Sequence, residues 1–270
     1  MIAFPIRGPK DMRDTSPARL SRIYRYPVKG LSAEPLEKTS LQVGEPLPGD
    51  RHYAIENGAS GFEASAPRYF PKSYFLMLMR NERLATWQTH FDEATGLLTI
   101  RRGGEVLAEG RLETIEGRET IERFFAAHCA DELRGAPKVL SGGGHSFSDV
   151  ARKVLSIINL ESLKAIEAMV GQPVHPLRFR ANLYVEGWPA WQEFDFLDQT
   201  LKVGDCRLKV VKRIVRCAAV NVDPETGARD LNLPHTLMQE LGHSDCGVYA
   251  EVISAGTVRV GDTIAPAEVF

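Results

Sequence analysis

Cysteine is scarce in this 270-residue sequence, with four in all. Their separations are irregular, which excludes a disulfide framework and makes a reducing cytoplasm the simplest setting. A basic excess is also missing. The 33 lysines and arginines against 35 aspartates and glutamates leave a net charge of −2, which argues against a general nucleic-acid or polyanion binder. No apolar run approaches the roughly 20 residues that span a bilayer. The basic-then-apolar start of a signal peptide is absent as well. With no Cys-x-x-Cys pair, His235, His243 and Cys246 beside Cys217 make a poor structural zinc site. His235 and His243 are better read as residues on or after a helix near a pocket rim. Cys129 and Cys206 have no partner motif and read as core or turn residues.

What is present is ordinary for a globular protein, with 43% hydrophobic and 25% charged residues. The length allows one large domain or two smaller ones. Residues 1–17 carry three prolines without periodicity and predict a loose tail. Residues 20–26, 39–43, 51–56, 97–101 and 105–108 predict short strands, punctuated by clusters such as Pro46-Leu47-Pro48-Gly49-Asp50. Ile121, Phe124, Phe125 and His128 share one face of a helix predicted over 118–128. Residues 18–141 therefore predict a small N-terminal β-barrel subdomain.

The Gly142-Gly143-Gly144-His145 run marks the boundary, and no Lys-Ser/Thr follows it as a phosphate loop requires. Beyond it, residues 154–158 predict a strand and Asn159 caps a helix that runs to Val170 and stops at Gly171. Strands are predicted over 182–186, 200–203, 207–215, 219–222, 249–254 and 257–260, with a helix over 234–241. Residues 142–270 thus predict a second, mostly β barrel. The fold class is mostly β with appended helices, that is, α+β.

Cys217 is the residue of greatest chemical interest. It follows a basic, apolar stretch and opens Cys-Ala-Ala-Val-Asn-Val-Asp-Pro-Glu-Thr-Gly, where Asp223-Pro224-Glu225-Thr226-Gly227 reads as a tight turn. A thiol beside Arg216 favours the thiolate, which a soft metal or sulfur transfer requires. An inert core cysteine fits the same spacing, so that alternative stays open. Four basic pieces stand out: Tyr26-Pro27-Val28-Lys29-Gly30, Gly49-Asp50-Arg51-His52-Tyr53, Arg178-Phe179-Arg180-Ala181-Asn182 and Lys212-Arg213-Ile214-Val215-Arg216. Brought together they make a pocket for a phosphate or other anion, and left apart they are solvated charges.

In their order along residues 18–266 these pieces resemble the MOSC superfamily. The resemblance is to the branch with an N-terminal β-barrel, which includes the mitochondrial amidoxime-reducing component and bacterial relatives. The Arg216-Cys217 element is its most specific part. This resemblance implies a molybdenum cofactor in the molybdopterin form, with no pyridoxal phosphate required. It implies that the Cys217 thiolate ligates the metal and serves catalysis, while Lys29, Gly30, Arg51, Arg178, Arg180, Asn182 and Arg216 hold the pterin and its phosphate.

Departures are visible. Ala181 stands where the family has Pro, Val150 and Ala151 follow Ser148-Asp149 where relatives have hydroxyl residues, and Gly30 stands where they have Ser. The resemblance further implies reduction of small N-hydroxylated substrates such as amidoximes or hydroxylaminopurines, with no nucleic acid or membrane as partner. No cysteine group spaced for an iron–sulfur cluster follows the barrel, so electrons are expected from a separate ferredoxin or flavoprotein. Two alternatives remain open: sulfur transfer through a Cys217 persulfide, and a non-catalytic carrier of the cofactor.

Overall fold

Residues 18–267 of a computed structural model are described here. The tail expected over residues 1–17 lies outside the described residues. In chain order the first half contributes β1 (Ala18–Arg25), β2 (Glu34–Leu36), β3 (Lys38–Leu41), β4 (Tyr53–Asn57), β5 (Gln88–Asp92), β6 (Leu97–Arg102), β7 (Glu105–Arg111), α1 (Ile115–His128) and β8 (Pro137–Ser141). The second half contributes β9 (Leu155–Asn159), α2 (Leu160–Val170), β10 (Leu183–Glu186), β11 (Thr200–Val203), β12 (Cys206–Val215), α3 (Leu233–Leu241), β13 (Asp245–Ser254), β14 (Gly256–Arg259) and β15 (Thr263–Pro266).

Period-two alternation closes the second half into a barrel. The strands run β10-β9-β13-β12-β11-β15-β1, and β1 pairs with both β15 and β10, so seven strands form a ring without an open edge. Leu208 faces Val252 and Val210 faces Ala250 across β12 and β13, and all four point into the buried interior. Irregularities in this ladder follow Val210 and Arg213. Extra residues of this kind re-aim the strand end that leads to Cys217. The chain therefore crosses the proposed division at residues 141/142, because β1 completes the barrel of the second half.

In the first half the expected small barrel takes the form of two sheets, β4–β8 and β5–β6–β7, sharing a core with α1. Thr114 caps α1 by accepting from the Gly117 amide, and Ile121, Phe124 and Phe125 fall on its buried face. α2 keeps the expected boundaries: the Asn159 side chain accepts from the Glu161 amide, and the helix ends at Gly171. The strand expected over 219–222 is instead a 3-10 turn, Ala218–Asn221. Val220 is drawn into the core beneath α2 and α3, and Asn221 Oδ1 accepts from the Leu233 amide at the start of α3. Alternating apolar residues carried the strand signal there, while a helix cap and a core contact decide the structure.

Candidate functional site

One cavity of about 470 Å³ lies where the Cys217 end of β12 and the loop before β10 meet loops of the first half. Lys29, Gly30, Arg51, Arg178, Arg180, Asn182, Arg216 and Cys217 all line it. Residues separated by up to 188 positions in sequence thus converge on a single space. The Cys217 thiol is half-buried rather than enclosed in hydrocarbon.

The walls are built around Tyr26. Its ring is fully buried, and the guanidinium carbons of Arg180 and Arg51 lie 4.3 and 4.4 Å from the ring centre. Both arginines have left-handed backbones, with φ of 50° each. A non-glycine residue held there costs of order 1 kcal/mol, so the surrounding structure must enforce it. Arg51 Nη2 donates to the Arg180 carbonyl at 2.9 Å, and Arg51 also pairs with Asp50.

Arg216 Nε donates to the Cys246 carbonyl at 2.8 Å and Nη1 to the Phe179 carbonyl at 3.0 Å. Each of Arg180 and Arg216 keeps a buried Nη2 with no acceptor. Unpaired buried donors are costly and await an acceptor. Burial pushes the Arg180 guanidinium down to about 10, even though Tyr26 and Asp50 pull the other way.

At the thiol, Lys72 Nζ lies 3.2 Å from Cys217 Sγ and 3.3 Å from Asp149 Oδ2. Lys29 is buried; its Nζ pairs with the same Asp149 carboxylate and donates to the Phe147 carbonyl at 2.8 Å. Burial alone would raise the Asp149 carboxyl, but Lys29, Lys72 and Arg51 outweigh it and hold the group well below the usual carboxylate range. Gly30 has a φ of +84°, and a Cβ there would sit 3.0 Å from Leu84 Cδ1 and 3.1 Å from the Leu76 carbonyl. The serine that the resemblance leads one to expect at this position would be strained.

Two of the expected residues spend most of their hydrogen-bonding groups on the frame, although the Arg178 Nε is buried without an acceptor. Arg178 is buried, with Nη1 on the Asn221 carbonyl and Nη2 on Asp223 and Asp230 at 3.0 and 2.7 Å. It ties the turn after Cys217 to the loop before β10. Asn182 Oδ1 accepts from the Ser156 amide and hydroxyl, and Nδ2 donates to the Tyr24 carbonyl.

Lys72 was not singled out from the sequence, because it sits in an aperiodic Pro- and aromatic-rich stretch that offers no signal. Asp149 was noted only as a landmark beside the missing hydroxyls. Contrary to the expectation of a rim position, neither His235 nor His243 lines the cavity. His243 instead accepts from the Asp245 amide and packs against Phe194. Cys129 and Cys206 are buried, and burial pushes the Cys129 and Cys246 thiols up to about 12.

Among protein families, the one described as the MOSC domain matches residues 139–265. This chain carries a MOSC domain. The matched stretch starts within β8 and takes in every barrel strand except β1. The mitochondrial amidoxime reducing component 2 of Rattus norvegicus is 30% identical over 122 residues, covering 41% of this chain and 36% of that protein. The mitochondrial amidoxime-reducing component 1 of Mus musculus is 28% identical over 120 residues, 40% of this chain and 35% of that one. The match therefore spans about a third of the length of these relatives.

Among solved structures, the YUAD protein from Bacillus subtilis aligns over 94% of this chain and 97% of its own, with a TM-score of 0.44 and 13% identity. YiiM from Geobacillus stearothermophilus covers 42% of this chain and 54% of its own at a TM-score of 0.34 and 20% identity.

Proposed function

We propose that this MOSC protein binds a molybdenum cofactor in its molybdopterin form, with Cys217 as metal ligand, and reduces N-hydroxylated compounds such as amidoximes or hydroxylaminopurines. The observation that carries the reading is the meeting, in one cavity, of a half-buried thiol with buried guanidinium N–H groups, those of Arg180 and Arg216 among them, that have no acceptor. The donor set fits such a group. A soft sulfur ligand suits molybdenum, and the orphaned donors of Arg180 and Arg216 suit a pterin phosphate. When bound, the cofactor supplies two-electron reduction of the N–O bond.

The chain's own residues do the rest. Arg180, Arg216, Lys29 and Arg51 supply the positive charge that a negatively charged cofactor needs, and Gly30 lets the backbone approach closely. Arg178 and Asn182 position the loops from below. Lys72 holds an ammonium 3.2 Å from the sulfur and would balance negative charge there. Hydrogen bonds that Val150 and Ala151 cannot make would come in this reading from Lys72, which lines the same cavity. Electrons come from a separate ferredoxin or flavoprotein, and a reducing compartment suits four free cysteines.

The test is viologen-driven reduction of benzamidoxime by protein made in a host competent for cofactor synthesis. The parent protein should turn over, and Cys217→Ser should lose at least about 100-fold. Equal rates in the two proteins would defeat the proposal, and bound cofactor without turnover would leave only a carrier.

A further inference from the structure

We infer that the mouth of this cavity selects N-hydroxylated substrates that carry an anionic group, a carboxylate or a phosphate, docked by Lys72, Arg68 and Lys212. The inference rests on the reaction proposed above for its chemistry, but its physical basis is separate. A chain whose net charge is −2 lines one cavity with eleven lysines and arginines and only two carboxylates, Asp50 and Asp149. Such a concentration focuses a positive field into a concave, low-dielectric space.

Most of these cations are already engaged. Arg51 pairs with Asp50, Arg178 with Asp223 and Asp230, Arg152 with Glu251 and Lys153 with Glu45. Arg180 and Arg216 present their unpaired donors from the buried wall, where the cofactor is proposed. Arg213 lies 4.3 Å from the Phe194 ring and keeps a buried Nε with no acceptor on the same cavity wall.

Three cations remain around the opening. Arg68, which lies 5.0 Å from the Phe70 ring, and Lys212 have no carboxylate within ion-pair distance among the described residues, and Lys72 shares its one carboxylate with Lys29. Lys212 stands opposite Tyr249 in the β12–β13 register, and both line the cavity that Cys217 also lines. The Lys72 ammonium lies 3.2 Å from the sulfur, so an anion held by it would sit next to the reacting centre proposed above. A substrate anion would supply the negative charge that the described residues do not.

The test has a kinetic arm and a chemical arm. Loaded protein is assayed with benzamidoxime and its 4-carboxylate, and with N4-hydroxycytidine and its 5′-monophosphate. We expect kcat/KM to favour each anionic member by about tenfold or more at low salt. The preference should shrink at least threefold in Arg68→Gln/Lys212→Gln and fall with ionic strength. The carboxylate pair and the phosphate pair separate the two sources of charge.

In the chemical arm, Cys217 of the cofactor-free full chain is alkylated with iodoacetate and with iodoacetamide at fixed pH. Both reagents consume the same thiolate, so the ratio of rates cancels the thiolate population and reads the local field. That ratio should exceed the ratio for N-acetylcysteinamide by about tenfold. It should drop in Lys72→Met and be restored in Lys72→Arg. A kcat/KM preference near one, with an alkylation ratio no higher than that of N-acetylcysteinamide, overturns the inference and leaves the cations to docking of an acidic partner protein. Absence of turnover with every substrate, together with a raised alkylation ratio, sinks the proposed reaction and leaves the anionic subsite standing.

Discussion

Replacing Arg180 with Met should stabilise the cofactor-free protein, the reverse of what loss of a buried arginine usually does. The Arg180 guanidinium is pushed by burial down to about 10, and its Nη2 has no acceptor. Keeping it charged at neutral pH therefore costs the fold about 3 kcal/mol. Stacking on Tyr26 at 4.3 Å returns about 1 kcal/mol, and Met keeps much of the apolar contact. The carbonyl of Arg180 that accepts from Arg51 is untouched by the change. The net expectation for Arg180→Met is a gain of about 1–2 kcal/mol, or about 2–8 °C in Tm for a domain of this size.

Millimolar phosphate or sulfate should raise the Tm of the parent protein, since an anion supplies the missing acceptor, and should have little effect on the variant. Thermal unfolding of both proteins, with and without the anion, decides the matter. A loss of 2 kcal/mol or more in the variant, with equal anion response in both, would refute the idea that this arginine waits for a ligand.

Arg178→Met should do the opposite, losing about 2–4 kcal/mol in chemical denaturation, because it strands Asp223 and Asp230 without their cation. Gly247→Ala should cost about 2–4 kcal/mol. The position has a φ of +74°, and a Cβ would meet Ile158 Cδ1 at 2.6 Å and Arg216 Nη2 at 3.2 Å, so the Arg216 side chain must move as well.

Glu193 is fully buried, and burial raises its carboxyl to about 7, against the pull of Asn159 and Ser162. The folded protein therefore holds this proton to higher pH than the unfolded chain. The stability the group contributes is fully present below the ordinary carboxylate range and declines as pH rises toward about 7. Glu193→Gln should accordingly gain stability relative to the parent at pH 8 over pH 5, by up to about 3 kcal/mol, read as the difference in Tm between the two pH values.

Much of this molecule was legible in its sequence because local physics and fold agree. The Asn159 cap, the Leu163 and Ile166 stripe and Gly171 define α2, and alternation defines β12 and most of the other barrel strands. The basic pieces beside Cys217 also pointed to one anion-binding space, and the eight residues singled out do share one cavity. Their individual roles stayed hidden, because they depend on long-range partners. Nothing local distinguishes Arg178, which pairs with two aspartates, from Arg180, whose Nη2 is buried with no acceptor. Lys72 reaches the sulfur from 145 residues away, through a stretch without periodicity. Residues 219–222 read as a strand by alternation, yet Ala218–Asn221 forms a 3-10 turn whose Asn221 caps α3. The closure of the barrel by β1 likewise rests on pairings to β10 and β15 that no local pattern announces.

X-ray absorption at the molybdenum edge tests the central claim most directly, on parent protein and Cys217→Ser both produced in a cofactor-competent host and checked for pterin content. The account predicts that both carry pterin and that the parent metal has one more sulfur neighbour than the variant. An identical sulfur shell in the two proteins would contradict it.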